Sequence, residues 1–221
     1  MDSSALLALR LSLQVALTAT IMVVPAGIFF ACVLARGRFR GRDLLDVALT
    51  LPLVLPPTVT GYYLVVLFGR NGPIGSRVYA LTGWSIMFTW EAAVLASFVV
   101  ALPLMVKTAR AAFESVEPQF VDVSRTLGHS EASTFLKVVL PLSRRGVIAG
   151  ASLAFARALG EFGATLMLAG NIPGRTSTAP LAIYSYAGSG DWPRANGLVL
   201  LFTLVAAGFL YVASKLNARI F

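Results

Sequence analysis

The sequence has 221 residues, of which 57% are hydrophobic and only 13% charged, with a formal net charge of +8. This composition, with apolar runs of about 20 residues, predicts an all-α integral membrane protein and excludes a soluble globular domain. The runs are also too long for the alternating strands, of about ten residues each, that build an outer-membrane barrel.

Five stretches are long and apolar enough to cross a bilayer core about 30 Å thick as helices. We predict transmembrane helices at 11–34, 44–68, 86–106, 146–170 and 195–214, within one membrane domain that covers residues 1–221. The longest polar interval between them is 107–145, which separates the third span from the fourth.

Basic residues are distributed unevenly between the two sides of these spans. Twelve of the 18 lie in three segments: Arg36, Arg38, Arg40 and Arg42 between the first two spans, six residues in 107–145, and Lys215 and Arg219 near the C-terminus. Because Lys and Arg near span ends are retained in the cytoplasm, the distribution places the N-terminus outside and the C-terminus inside. Dispersal between spans also argues against a nucleic-acid-binding face.

The second span carries interior prolines, beginning with Pro52, that remove helical hydrogen bonds and predict a broken helix. Freed backbone groups at membrane depth are tolerated where they line a cavity or are buried in protein. The candidate residues of a translocation pathway are therefore Pro56, Pro57, Thr58, Thr60 and Gly61. The alternative is a proline kink that only shapes packing.

The fourth span contains Arg157 and Glu161, which are four residues apart and are predicted to share one helical face. Each charge near the bilayer centre costs roughly 2.5–3.5 kcal/mol, so this span should face protein or water rather than lipid. Gly146, Gly150 and Ala154 form a small-residue run that would allow close helix contact. The ion pair is a candidate gate or subunit interface, or else a mutually neutralising pair that holds the bundle together.

The polar interval 107–145 predicts two short helices joined by a glycine corner. Pro118 is suited to the first position of a helix, and Gly128 can end that helix in a left-handed conformation. Ser130 can cap a second helix, which Pro141 is predicted to stop.

One face of the first short helix is apolar and the other is polar. The apolar stripe comprises Val116, Phe120, Val123 and Leu127, and the polar face carries Glu117, Asp122 and Arg125. A structured loop of this kind indicates docking of a soluble partner. The alternative is a loop that folds only on its own membrane domain.

The loop resembles the cytoplasmic loop of ATP-binding-cassette importer permeases, whose pattern is Glu-Ala-Ala, three residues, Gly, nine residues, Ile, one residue, Leu-Pro. Asp122, Val123 and Ser124 stand at the triplet, Gly128 matches, Val138 replaces Ile, and Leu140 and Pro141 match. In that family the helix before the glycine sits in a cleft of the ATPase and transmits its closure to the spans. The resemblance implies that coupling involves Phe120, Asp122, Val123, Ser124, Arg125, Leu127, Gly128, Val138, Leu140 and Pro141.

Three further regions resemble the permease subunits of molybdate importers. They run from Leu55 to Tyr62, from Leu67 to Gly75, and from Ala156 to Ala164 with a continuation at Gly170 to Gly174. Sulfate and thiosulfate permeases share much of this pattern, and all these substrates are tetrahedral dianions. The resemblance therefore implies an importer of molybdate, and of tungstate as well. Import of sulfate or thiosulfate is the alternative, which the residues alone do not exclude.

The resemblance implies a type I importer permease that acts as a homodimer in the lipid of a bacterial or archaeal cytoplasmic membrane. Its partners would be two ATPase subunits, which bind ATP and Mg, and one external substrate-binding protein. The chain would be a transport subunit and not an enzyme, with no cofactor or metal of its own. Arg70, Arg175 and Asp191 are the candidates for contact with the binding protein on the outer side.

Two other classes of membrane protein would have different sequence features. An ion-driven secondary transporter should contain inverted repeats and paired ionisable residues near the midplane, whereas this sequence has one intramembrane ion pair and no evident repeat. A membrane-embedded enzyme should assemble an acid-base or metal cluster. The single His129 and single Cys32 do not supply one.

Overall fold

The computed structural model describes residues 3–37 and 39–218, and side chains up to residue 215. Arg38 and Arg219, which contribute to the charge argument, lie outside the described residues. Within the described ranges every regular element is a helix, which confirms the all-α prediction. The elements are α1 Ser3–Arg36, α2 Arg42–Val54, α3 Pro57–Phe68, α4 Gly75–Thr82, α5 Trp90–Glu114, α6 Pro118–Thr126, α7 Glu131–Thr134, a π-helical segment Phe135–Val139, α8 Leu140–Leu142, α9 Arg144–Leu159, α10 Gly163–Ala169, α11 Ala179–Gly188 and α12 Trp192–Ala218.

Three of these helices are long and apolar enough to cross a membrane without interruption: α1, α5 and α12. Two bent pairs also qualify, α2 with α3 at 119° and 131–142 with α9 at 75°, so the described chain has three to five candidate spans. The expected break in the second span is confirmed, at Leu55 and Pro56. The fourth predicted span, 146–170, was wrong as a single helix, because α9 ends at Leu159 and α10 begins at Gly163.

Helix α5 lies at the centre, between α1 and α9. Small residues line its contacts: a side chain at Gly27 of α1 would collide with Met105, and one at Gly146 of α9 would collide with Ala112. Gly150 likewise lies against Met105, which confirms the close contact predicted from the small-residue run. Such residues let helices approach closely where lipid offers no hydrophobic driving force.

At one end of the bundle, polar contacts connect α2 to the last turns of α5. Lys107 Nζ and Arg110 Nη1 lie 2.7 Å and 2.9 Å from the carboxylate oxygens of Asp46. Arg42 lies 3.7 Å from Glu114. These contacts hold the beginning of the broken second span beside the end of α5.

At the opposite end, the first turns of α1 pack against the short helix α11. Ser12 Oγ accepts a hydrogen bond of 2.7 Å from the Ala179 backbone N–H. The hydroxyls of Ser4 and Tyr186 are 3.1 Å apart. The two ends correspond to the sides predicted as cytoplasmic and outer, and the assignment of each end to a side of the membrane stays a prediction.

Candidate coupling hairpin and translocation pathway

The predicted pair of short helices forms a compact hairpin, α6–α7, at the end of the bundle where α5 finishes. Pro118 occupies the first position of α6, and Gly128 has a φ of 81°. The His129 N–H donates to Ser124 O and the Gly128 N–H donates to Arg125 O, at 3.2 Å and 2.9 Å. This Schellman arrangement needs a left-handed residue, for which glycine has no Cβ penalty.

The second helix of the hairpin begins as predicted. The Ser130 side chain accepts a hydrogen bond of 3.3 Å from the Ser133 N–H, which confirms the N-cap. The predicted stop at Pro141 is wrong, because the chain remains helical through Leu142 and turns at Ser143. A π-helical segment, Phe135–Val139, precedes Pro141 and widens the turn that must accept the proline ring.

The apolar stripe of α6 divides between core and surface. Val116 packs against the hydrophobic core, whereas Phe120, Val123 and Leu127 are 46%, 58% and 73% exposed. Three apolar side chains at helical spacing therefore project from the end of the bundle, and none of the residues that the structure describes covers them. Asp122 and Arg125 are exposed as well.

Two contacts connect α6 to α7 across the glycine corner. Ser124 and Thr134 are buried, and their hydroxyl oxygens are 2.9 Å apart. Arg125 donates to both carboxylate oxygens of Glu131, at 2.7 Å and 3.1 Å. The hydrogen bond to Glu131 raises the pKa of the Arg125 guanidinium above its ordinary value. Sequence reasoning missed Thr134 and Glu131, which carry no apolar periodicity.

The remaining motif residues lie where the hairpin joins the bundle. Val138 and Leu140 are half-buried and Pro141 is exposed, while the intervening Val139 is only 1% exposed. Phe135 stacks edge-on against Phe113 of α5, with ring centroids 5.2 Å apart. This apolar contact fixes the base of the hairpin to the central helix.

The two broken spans meet at their breaks. A Cβ on Gly61 would lie 2.8 Å from Ala164 Cα, and a Cβ on Gly163 would lie 3.0 Å from Pro57 Cβ. Gly61 therefore permits the contact between α3 and α10. The candidate pathway residues divide accordingly: Pro56, Pro57 and Thr58 are exposed, whereas Thr60 and Gly61 are buried. Among the described residues, the Thr60 hydroxyl has no hydrogen-bond partner.

Arg157 and Glu161 form the predicted ion pair, with Nη1 and Oε2 2.8 Å apart. The expectation that they share one helical face was wrong, because the helix ends between them at Gly160. Glu161 Oε1 accepts a hydrogen bond of 2.7 Å from the Ala164 N–H and so caps α10. A carboxylate at a helix N-terminus accepts an otherwise unsatisfied donor and interacts favourably with the helix dipole.

The three candidates for binding-protein contact lie in loops at the opposite end from the hairpin. Arg70 stacks on Tyr79, with the guanidinium carbon 4.0 Å from the ring centroid, and lines an open cavity of about 640 Å³. Asp191 forms an ion pair of 3.3 Å with Arg194, and Arg175 is exposed. In the part of the chain that the structure describes, no cluster of three His, Cys, Asp or Glu side chains could hold a metal ion.

Sequence comparison places the chain in a family of transport proteins. Residues 23–220 match the family described as binding-protein-dependent transport system inner membrane component, and the chain belongs to that family. It is 43% identical over 213 residues to the "Molybdenum transport system permease protein ModB" of Escherichia coli (strain K12), covering 96% of this chain and 93% of that protein. The ModB protein of Haemophilus influenzae is 44% identical over 198 residues, covering 90% and 86%.

The chain is also similar to a sulfate permease and to a chain of a solved ABC transporter structure. The "Sulfate transport system permease protein CysT" of Salmonella typhimurium is 34% identical, covering 96% of this chain and 76% of that protein. The fold matches a chain of a bacterial alginate ABC transporter in complex with its periplasmic protein, with a TM-score of 0.82, 13% identity, and coverage of 100% and 80%. The fold is therefore that of an ABC importer permease, and the chain is a multi-pass membrane protein.

Proposed function

We propose that this chain is the membrane-spanning subunit of an ATP-driven importer that moves molybdate, and tungstate as well, into the cytoplasm across the inner membrane. The supporting observation is the coupling hairpin, which exposes three apolar side chains of its stripe at one end of a bundle with the ABC importer permease fold. The substrate proposal is supported by relatives at 43% and 44% identity that are named molybdenum permeases. Sulfate is the second candidate, supported by the relative at 34% identity.

In this proposal Phe120, Val123 and Leu127 insert into a cleft of a separate ATPase subunit, which supplies ATP and Mg. Exposed apolar side chains on one helical face are suited to a groove in a partner protein. Closure of two ATPase subunits would then move the hairpin and, through α9, the break that holds Glu161. The same polar interval, 107–145, would thus face the cytoplasm.

The broken second span supports a homodimer. Pro56, Pro57 and Thr58 are exposed on the single chain, next to the bend of 119° between α2 and α3. Lipid cannot satisfy the backbone groups that such a break frees, so this surface should face water or protein. Two copies that place their breaks together would enclose a path for a hydrated oxyanion, with lipid around the remaining apolar surface.

Arg157 is suited to a gate beside that path. Its side chain is 26% exposed although it lies within the bundle, and its partner Glu161 is 1% exposed. A Cβ on the neighbouring Gly163 would lie 3.0 Å from Pro57 and 3.1 Å from Thr58 of the exposed break. A partly solvated guanidinium near the break would attract a dianion, and the ion pair with Glu161 would keep that attraction weak enough for release.

Assembly with the ATPase can be tested directly. We expect the purified chain to capture its cognate ATPase in equal number, and Val123→Lys to weaken capture at least about tenfold, which corresponds to about 1.4 kcal/mol. Gln119→Lys, an exposed position outside the stripe on the same helix, is the matched control and should change capture less than about twofold. Failure of the unaltered chain to bind the ATPase, or equal loss in both variants, would contradict the proposal.

A further inference from the structure

A buried hydrogen bond between two hydroxyl groups joins the two helices of the coupling hairpin. Ser124 stands where the pattern has alanine, and its side chain points into the hairpin rather than toward solvent. Ser124 is 4% exposed and Thr134 is 0% exposed, with 2.9 Å between their hydroxyl oxygens. Ser124, which replaces alanine in the pattern, thus forms a buried hydrogen bond with Thr134 of the following helix.

Each of these hydroxyls depends on the other. Among the residues that the structure describes, each of these two side chains makes a single hydrogen bond, which is the one to the other. A buried hydroxyl that loses its partner also loses its hydration, whereas replacing both hydroxyls by apolar groups of the same shape can be nearly neutral. The pair therefore favours a single angle between α6 and α7.

An ionic contact on the exposed side of the hairpin adds a second connection. Arg125 engages Glu131 through two hydrogen bonds, and Arg36 of α1 lies 3.7 Å from the same carboxylate. Glu131 has a side-chain exposure of 63%, so solvent and salt screen these contacts. The buried hydroxyl pair is for this reason the stronger determinant of the hairpin angle.

The connection from the hairpin to the bundle is less regular than the hairpin itself. After Thr134 the chain passes through the π-helical segment Phe135–Val139, and it then bends by 75° between 131–142 and α9. Irregular helical turns are places where a helix can change direction. A change of angle would thus occur in 135–143 before it occurred within α6–α7.

We propose that Ser124 and Thr134 are positioning residues that hold α6 and α7 at a fixed angle, so that the coupling hairpin turns as one body about 135–143. This inference rests on the proposed role of the hairpin in coupling to an ATPase. The pair touches neither nucleotide nor substrate. Its effect is on the fraction of ATPase movement that reaches the spans, and hence on the number of molybdate ions imported per ATP hydrolysed.

A reversible cross-link tests the fixed angle. In a Cys32→Ala background, Ser124→Cys with Thr134→Cys places two sulfur atoms where hydroxyl oxygens are 2.9 Å apart. The complete importer is reconstituted in liposomes, disulfide formation is verified by mass spectrometry, and uptake per ATP is measured before and after oxidation. We expect the oxidised ratio to equal or exceed the reduced ratio. A ratio that falls on oxidation and recovers with reductant would mean that α6 and α7 move relative to each other, which would overturn the proposal.

A double-mutant cycle decides the question independently of disulfide formation. We expect Ser124→Ala and Thr134→Val each to lower uptake per ATP by about threefold or more, because each leaves one buried hydroxyl without its partner. The double variant should lie closer to the unaltered protein than either single variant. Reduced protein yield with an unchanged ratio in all three variants would show a purely structural role and overturn the proposal. Absence of ATP-dependent uptake by the unaltered chain would instead contradict the proposed function.

Discussion

Removing the positive or the negative charge of the ion pair at the break of the fourth span should lower the free energy of unfolding by different amounts. The Glu161 side chain is 1% exposed and the Arg157 side chain is 26% exposed. Arg157→Met would leave a buried carboxylate without its cation, and breaking a buried pair in this way costs about 3–5 kcal/mol. Glu161→Gln would leave a partly hydrated guanidinium, and the new amide oxygen could still accept from the Ala164 N–H, so we expect about 1–3 kcal/mol.

These free energies translate into measurable differences in thermal stability. For a chain of this length about 1 kcal/mol shifts Tm by roughly 2–4 °C, so Arg157→Met should lower Tm by at least about 6 °C. The assay is thermal unfolding of the detergent-purified chain, followed by tryptophan fluorescence. The double variant, Arg157→Met with Glu161→Gln, should recover part of the loss, because it removes the uncompensated charge.

Two results would refute this reasoning. Equal shifts for the two single variants would mean that the burial of Glu161 does not determine the cost. Losses that simply add in the double variant would mean that the two side chains do not stabilise each other, despite the 2.8 Å between their charged atoms. Full transport and coupled ATPase activity in Glu161→Gln would separately contradict a role for the pair as a gate.

Three further predictions concern packing, the glycine corner and salt. Gly61→Ala should lower Tm, because its Cβ would lie 2.8 Å from atoms of α10 and overpacking costs about 1–3 kcal/mol. Gly208 lies in open space within a helix, so the control Gly208→Ala should leave Tm unchanged or raise it. Equal falls in Tm for the two variants would contradict this prediction. Gly128→Ala should cost about 1–2 kcal/mol by the same measurement, because its φ is 81°, and an unchanged Tm would count against the left-handed corner. Glu131→Gln should speed hydrogen exchange in the hairpin at low salt and much less at about 1 M salt, where exposed charges are screened; an effect that persists in high salt would contradict a surface ion pair.

Local chemistry allowed much of the fold to be predicted from the sequence. The start of α6 at Pro118, the left-handed Gly128 and the cap at Ser130 follow from backbone preferences that act within a few residues. The break in the second span follows equally from its prolines. Hydropathy predicts the long helices because burial in lipid depends on composition over about 20 consecutive residues.

Features that depend on contacts between distant segments could not be predicted. The break of the fourth span is a local feature that the sequence also does not reveal. It lies at Gly160, where the span has no proline, and Glu161, which accepts from the Ala164 N–H three residues later, is expected from the sequence only as the partner of Arg157. The partnership of Ser124 with Thr134 requires the hairpin to close, and no periodicity indicates it. Gly61 stays a candidate pathway residue, and its packing against Ala164 becomes evident only when α3 and α10 are brought together.

The central claim is that this chain imports molybdate at the expense of ATP hydrolysed by a partner. The most direct test reconstitutes the chain with its cognate ATPase and binding protein in liposomes and measures uptake of labelled molybdate with and without ATP, with excess sulfate as competitor. We expect ATP-dependent uptake that excess sulfate does not displace. Uptake of sulfate in preference to molybdate would assign the chain to sulfate import, and uptake of either anion without ATP would contradict the importer mechanism itself.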